Sequence, residues 1–217
     1  MGPTASDVDS FADALLSLDE SAAAAALRRA ADGAGGTDYL DAVVVPALVQ
    51  IGEGWTAGRV SLSQVYMSGR LCQRLIEGDG ATVPALRPSQ PRLAVCVLAD
   101  SHVLGKQIVV HLLRSSGYQV SDWGAKLEVD EVVRRVNAEG TDVLFVSVLM
   151  LRSALAVANV KAALAEAGSE ALVVVGGAPF RFDPGLGSEV GADFVGTSAS
   201  DVLPIMAAIE HDRLVTP

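Results

Sequence analysis

Apolar residues recur at helical spacing through the first third of the chain, then give way to short strand-like runs that alternate with helical stretches. From Ser6 to about Gly80 the period is helical throughout. The segment SAAAAALRRAADG is rich in strong helix formers and runs into the glycines of GAGG, which suit a helix stop. The stretch TDYLDAVVVPALVQIGEGW opens on Thr37 and Asp38, residue types that cap helix N-termini. It sets Leu40, Val43, Val44, Ala47, Leu48 and Ile51 on one face. Pro46 removes a backbone donor and predicts a kink or local break in that helix. SLSQVYMSGRLCQRLIEG then repeats the helical spacing with Leu62, Val65, Tyr66, Met67, Leu71 and Leu75. Residues 1–80 therefore predict a bundle of four helices.

The following stretch, DGATVPALRPSQPR, carries three prolines and no sustained periodicity, which predicts a linker over residues 81–91. Beyond it, five strand-like runs appear: RLAVCVLA, YQVSDWG, DVLFVSVL, ALVVVGG and the weaker DFVGT. Between them lie LGKQIVVHLLRSSG, VDEVVRRVNAEG, RSALAVANVKAALAEAG and GLGSEVG, and SASDVLPIMAAIEHD follows the last. Near-continuous apolar strands alternating with helices predict a parallel sheet covered on both faces. Right-handed crossovers make a flavodoxin-like, doubly wound five-stranded sheet the simplest solution, with strand order 2-1-3-4-5. The expected fold is α/β, a four-helix bundle of residues 1–80 followed by a Rossmann-like domain of residues 92–217.

Composition narrows the possible functions. The chain has 217 residues, half of them apolar and 19% charged, which fits a compact protein with a full core. A formal charge of -10 opposes nucleic-acid binding, which relies on Lys and Arg to neutralise phosphates. The first twenty residues lack the basic start and continuous apolar core of a secretory signal, and no apolar run reaches membrane-spanning length. Cys72 and Cys96 lie far apart among apolar neighbours and read as small core residues of a reducing compartment. The sequence thus predicts a cytoplasmic protein with neither nucleic acid nor membrane as partner.

The stretch ADSHVLGKQ stands out, because an acid, a hydroxyl, a histidine and a glycine follow directly on the first strand. In a doubly wound sheet, ligands bind outside the carboxyl ends of the strands where the strand order reverses, here between strands 1 and 3. The ADSHVLG turn ends strand 1, Ser147 ends strand 3, and Gly176-Gly177 closes strand 4, so three distant segments are expected at one edge. A phosphate loop is excluded because Gln107 follows Gly105-Lys106 and the earlier glycine is missing. There is no GxGxxG in the first turn, no aspartate ending strand 3 as a phospho-acceptor, and no glycine-flanked elbow around Ser147. One histidine and one aspartate are too few ligands for a zinc site. What remains is an imidazole with an acid two residues before it, the usual surroundings of a metal-ligating histidine, and such a histidine can serve a metal whose other ligands come with a cofactor.

Asp100-x-His102-x-x-Gly105, Ser147-x-Leu149 and Gly176-Gly177 together resemble the signature of the corrinoid (cobalamin) binding family, which includes methionine synthase and the methylotrophic corrinoid proteins. Forty-one residues separate Gly105 from Ser147 and twenty-six separate Leu149 from Gly176, gaps similar to those of the family. The resemblance covers essentially the whole chain, since the family commonly sets a helical cap before the cobalamin domain. It implies that His102 replaces the cofactor's benzimidazole as lower axial ligand of cobalt and that Asp100 hydrogen-bonds the imidazole. It further implies that Ser153 completes a proton relay with these two. Ser147, Leu149, Gly176 and Gly177 would line the cleft for the displaced nucleotide tail. Ser101 in the turn, and Thr197 and Ser198 after strand 5, join the cofactor-binding set. In the cap, IGEGWTAGRVSLSQVYMSGRL is similar to the helix pair that shields the upper corrin face, with Trp55 over the cobalt.

The resemblance implies a non-catalytic carrier subunit of a cobalamin-dependent methyltransferase system, not a complete enzyme, moving a methyl group between a substrate methyltransferase and an acceptor methyltransferase. The implied cofactor is cobalamin, in the methyl form ahead of the adenosyl form. The alternative is an adenosylcobalamin-binding light or cofactor sensor. Such sensors carry Glu-His ten and eleven residues after the tryptophan, where this chain has Val65 and Tyr66. Met150-Leu151-Arg152 departs from the threonine-rich pattern of methylamine-type proteins and leaves the methyl donor open.

Overall fold

A computed structural model describes residues 4–34, 39–78 and 90–215. The chain divides into two compact units, residues 1–81 and 82–217. The expected linker at 81–91 and the Thr37-Asp38 cap fall largely or wholly outside the described residues.

The first unit is built from α1 (Ala5–Leu16), α2 (Glu20–Ala34), a π-helical turn (Leu40–Val44), α3 (Val45–Thr56) and α4 (Leu62–Gly78). Thr4 and Asp7 cap α1 reciprocally, and Ser61 and Gln64 do the same at the start of α4. The predicted break at Pro46 takes a specific form. The Val45 N–H reaches back five residues to the Leu40 carbonyl, and α-helical geometry begins with Val45 and Pro46. A wider turn just before the proline absorbs the missing donor without ending the helix. Phe11, Leu15, Leu40, Val43, Val44, Ala47 and Ile51 form the buried centre, and the buried Ser68 hydroxyl donates to the Leu15 carbonyl at 3.1 Å.

The apolar positions expected along α4 do not all face that core. Its buried stripe is Ser68, Leu71, Cys72 and Ile76, one helical face at i, i+3, i+4 and i+8. Leu62, Tyr66 and Met67 are exposed instead, as is Trp55 at the end of α3. The first two turns of α4 therefore carry apolar side chains that this helical unit does not bury.

The second unit contains β1 (Leu93–Val97), α5 (Leu104–Ser115), β2 (Val120–Asp122), α6 (Val129–Glu139), β3 (Val143–Ser147), α7 (Leu151–Leu155) and α8 (Val157–Glu166). It continues with β4 (Leu172–Gly176), α9 (Ala178–Phe182), α10 (Leu186–Glu189), β5 (Phe194–Gly196) and α11 (Val202–Val215). All strand pairs are parallel and the order is β2-β1-β3-β4-β5, as expected. Every residue of β1 is buried, because helices cover both sheet faces. Ala94, Cys96, Leu144, Val146, Val173 and Val175 meet Val132, Val136, Val157, Val160 and Leu164 of α6 and α8. The other face is covered by α5 and α11, which pack on each other.

Two features differ from the sequence expectation. The single helix expected after β3 is two, α7 and α8, joined through Ala156. A further short helix, α9, follows β4 directly. Its sequence APFRF is too short for a periodic signal, and Pro179 near its start pre-sets a helical φ.

Burial pushes the thiols of Cys72 and Cys96 up to about 12. Both cysteines are free and sit in different units. Neither thiol is expected to react with a disulfide reagent in the native protein at about pH 8, where an ordinary cysteine is partly ionised. Both should react once denaturant unfolds the chain, measured as thiolate release over time.

Candidate functional site

The sheet register assembles the carboxyl edge. Val97 pairs with Ser147, Ser147 with Gly176, and Gly176 with Gly196, so four strand ends form one row. The turn from β1 to α5 rises from this row at the point where the strand order reverses.

That turn is held from beneath by a segment the sequence did not single out. After β2 the chain runs on beside the end of β1. The Val97 N–H donates to the Gly124 carbonyl at 3.0 Å and the Leu127 N–H to the Val97 carbonyl at 3.2 Å. The Ala99 N–H donates to the Leu127 carbonyl at 2.9 Å and the Lys126 N–H to the Asp100 carbonyl at 2.8 Å. Ala99 and Lys126 both take the left-handed conformation, φ +47° and +61°. For residues with a Cβ each costs about 1 kcal/mol or more, so the surrounding ladder must impose them. Leu98 is fully buried and forms a bridge with Leu127. The polar turn thus stands on an apolar anchor.

Within the turn one carboxylate oxygen gathers three donors. Asp100 Oδ1 accepts the Ser101 N–H at 2.5 Å and the His102 N–H at 3.2 Å, and lies 2.5 Å from His102 Nδ1. The Asp100 side chain is buried, whereas 54% of the His102 side chain is exposed. Burial would raise the Asp100 pKa. The His102 imidazole and the two N–H groups outweigh it and hold the carboxyl below its ordinary value of 3.8. An ionised carboxylate at Nδ1 fixes the proton there and leaves the Nε2 lone pair outward. Nε2 has no hydrogen-bond partner among the described residues.

The other expected residues collect around this turn with varying closeness. A Cβ on Gly105 would lie 3.2 Å from Ser147 Oγ, so the first turn of α5 sits directly on the Ser147 hydroxyl. Gly176 closes β4 with its Cα side against the Gly196 carbonyl, 3.2 Å from where a Cβ would stand. Gly177 has φ +123°, and a Cβ there would come within 1.8 Å of the Val148 carbonyl oxygen, so no other residue fits. Leu149 is exposed just beyond β3. Thr197 and Ser198 follow β5 at the same edge. Asp201 ties them down by accepting the Thr197 N–H at 2.8 Å, the Thr197 hydroxyl at 3.0 Å and the Ser198 N–H at 3.0 Å. Burial would raise the Asp201 pKa, but these donors lower it. Asp201 is a residue the sequence expectation passed over, and its signal is the S-x-x-D capping box that opens at Ser198.

Ser153 approaches the turn from α7. It is buried, but its hydroxyl donates to the Ala99 carbonyl at 3.5 Å, one residue short of Asp100. Asp100 Oδ2 is buried without a hydrogen-bond partner. The relay expected from the resemblance is therefore not closed: its acceptor is unsatisfied and its donor is engaged next door. The backbone carbonyl of the left-handed Ala99 supplies the competing acceptor. Trp55, the expected upper-face residue, belongs to the helical unit and is 50% exposed.

These residues fit a corrinoid better than a bare ion. Among the described residues no group of three or more His, Cys, Asp or Glu could hold a metal unaided. One outward imidazole nitrogen, backed by a carboxylate and set among glycines, suits a metal that arrives with its other ligands in place. A cleft of about 470 Å³ lined by Arg92, Thr141, Asp142 and Glu170 opens at the other, amino-terminal edge of the sheet and contains none of these residues.

Comparison with known proteins is decisive. A family model described as a B12 binding domain matches residues 92–205, and a second with the same description matches residues 8–77. The chain belongs to the B12-binding family. It is 25% identical over 204 residues to trimethylamine corrinoid protein 1 of Methanosarcina acetivorans, covering 91% of this chain and 94% of that one. To dimethylamine corrinoid protein 2 of Methanosarcina mazei it is 24% identical, covering 90% and 93%. Among solved structures it matches the Methanosarcina barkeri monomethylamine corrinoid protein in fold, with TM-score 0.77 and 21% identity over 94% of this chain and 98% of that one. A methanol:cobalamin methyltransferase complex from Methanosarcina barkeri matches with TM-score 0.51 and 26% identity over 96% of this chain and 81% of that one. Cobalamin binding and the cap-plus-sheet architecture are thus properties of the family to which this chain belongs. Among the described residues no helix is long and apolar enough to cross a membrane.

The lowered Asp100 pKa has a consequence for folding. A depressed carboxyl contributes stability that is fully present above its unfolded value, near 3.8, and is lost as pH falls through its folded value. In the cofactor-free protein, Asp100→Asn is expected to be less stable than the wild type at neutral pH. The difference should shrink below about pH 4, as measured by denaturant titration across that range.

Proposed function

We propose that the protein is a corrinoid carrier. It binds cobalamin with the cofactor's own lower base displaced and His102 as the lower axial ligand. It passes a methyl group between a substrate methyltransferase and an acceptor methyltransferase. The observation that carries this is the pairing of an outward His102 Nε2 with a carboxylate-held Nδ1 at the switch point of a B12-binding sheet. When bound, the cofactor supplies a cobalt centre able to accept and give up a methyl group.

Each residue then has a chemical task. Asp100 keeps the imidazole neutral at Nε2 and strengthens it as a donor. The Ser101 N–H helps to hold that carboxylate in place. Ser153 is the hydroxyl that would give the buried, unpaired Asp100 Oδ2 a donor and so complete the relay. Gly105, Ser147, Leu149, Gly176 and Gly177 bound the passage for the displaced nucleotide tail, with Thr197 and Ser198 at its far side. Residues 1–80 are the helical cap domain, residues 81–91 the linker and residues 92–217 the cobalamin domain, and Trp55 is the cofactor-binding residue of the first. Methylcobalamin is the working form. Relatives named for trimethylamine and dimethylamine support a small methylated donor, and a relative solved as a methyltransferase complex supports an enzyme partner. The chain supplies the cobalt ligand and the enclosure, and its partners supply the bond-making chemistry.

The test is the visible spectrum of the full chain loaded with methylcobalamin. The wild type is expected to show the histidine-ligated form, and His102→Ala the form without a lower base. Identical spectra would overturn His102 as the ligand. A strong preference for adenosylcobalamin with a light-driven change in assembly would replace the carrier role with a sensor role.

A further inference from the structure

Asp100 and His102 lie on the same turn, so their bonds close the turn and orient the ring without fixing where the turn sits on the sheet edge. On its β1 side the turn is anchored by the backbone ladder to residues 124–127. On its other side it runs straight into α5, whose first turn carries Lys106.

Lys106 is the only buried Lys or Arg side chain among the described residues. Its Nζ donates to both carboxylate oxygens of Asp122, the last residue of β2. Asp122 Oδ1 also accepts the Gly124 N–H at 2.9 Å. The segment 122–127 therefore grips both ends of the His102 turn, through backbone at Ala99 and Asp100 and through a side-chain ion pair at the start of α5. Stability is a poor reason for such a pair. Desolvating an ammonium opposes its Coulomb gain, and an apolar side chain of similar length often serves as well or better. What an apolar side chain lacks is direction. Two hydrogen bonds to one carboxylate set where the first turn of α5 lies, and with it Gly105 against Ser147.

We propose that the Lys106–Asp122 ion pair is a positioning device for His102, locking the start of α5 to the end of β2 so that Nε2 is presented at a fixed place on the sheet edge. The proposal rests on His102 being the cobalt ligand. Neither Lys106 nor Asp122 is offered as touching the cofactor.

The experiment uses the full chain loaded with methylcobalamin and reads the ratio of histidine-ligated to unligated cofactor from the visible spectrum, beside the melting temperature of the cofactor-free protein. Lys106→Met removes the buried charge and leaves a partly exposed Asp122 that water can reach. It is expected to lower the ratio about tenfold, in line with losses seen when the supports of a metal ligand are removed. Its melting temperature should be maintained or raised. Asp122→Asn should lower the ratio as well, and the double variant should lose no more than Lys106→Met alone. An unchanged ratio in either folded single variant, or strictly additive losses in the double, would overturn the proposal. So would failure of all three to fold, since the pair would then hold the fold itself. His102→Ala separates the two claims. If it matches the wild type, the ligand assignment fails; if it differs while the pair variants match the wild type, the positioning role alone fails.

Discussion

The candidate site depends on one oxygen atom. Asp100 Oδ1 holds two backbone N–H groups and one imidazole nitrogen, which closes the turn and orients the ring together. A side-chain carboxylate that substitutes for a backbone acceptor lets the chain turn sharply straight after a buried strand. The same contact decides which nitrogen of His102 faces outward. Folding and ligand presentation therefore share a single hydrogen-bonded centre. Its second oxygen, buried and unpaired, is the unfinished part, with the Ser153 hydroxyl engaged one residue away.

The sheet places that centre where it can be used. Parallel pairing sets the ends of β1, β3, β4 and β5 in register, so glycines and a serine far apart in sequence share an edge. Glycine at 177 is required by backbone approach to Val148, so part of the motif answers to the fold itself. The cost of left-handed geometry at Ala99 and Lys126 is met by the ladder to residues 124–127. Exposed apolar side chains also gather near this edge, at Leu149, Met150, Leu151 and Leu155. A surface of this kind suits a large, partly apolar cofactor.

Much of this was legible in the sequence, for physical reasons. Five apolar runs with helical spacers leave few topologies once crossovers must be right-handed, and the observed order is the expected one. The spacing of Asp100, His102 and Gly105 contains its own hydrogen-bond geometry, because an acid two residues before a histidine reaches both its N–H and its ring. Less local features were hidden. The face of α4 could not be chosen while two apolar stripes competed, and the stripe that is buried includes Ser68, a polar residue satisfied by the Leu15 carbonyl. The Lys106–Asp122 pair spans sixteen residues and a helix, and no periodicity reports it. The partner of Ser153 turned on a backbone conformation at Ala99 that an alanine does not announce.

The central claim is that a nitrogen of His102, not one from the cofactor's own base, meets the cobalt. The most direct measurement is electron paramagnetic resonance of the full chain loaded with cobalamin in its paramagnetic cobalt(II) state, prepared with and without ¹⁵N-labelled histidine. A histidine ligand predicts that the nitrogen splitting changes from a triplet to a doublet on labelling and is lost in His102→Ala. A triplet that persists in the labelled protein would contradict the account.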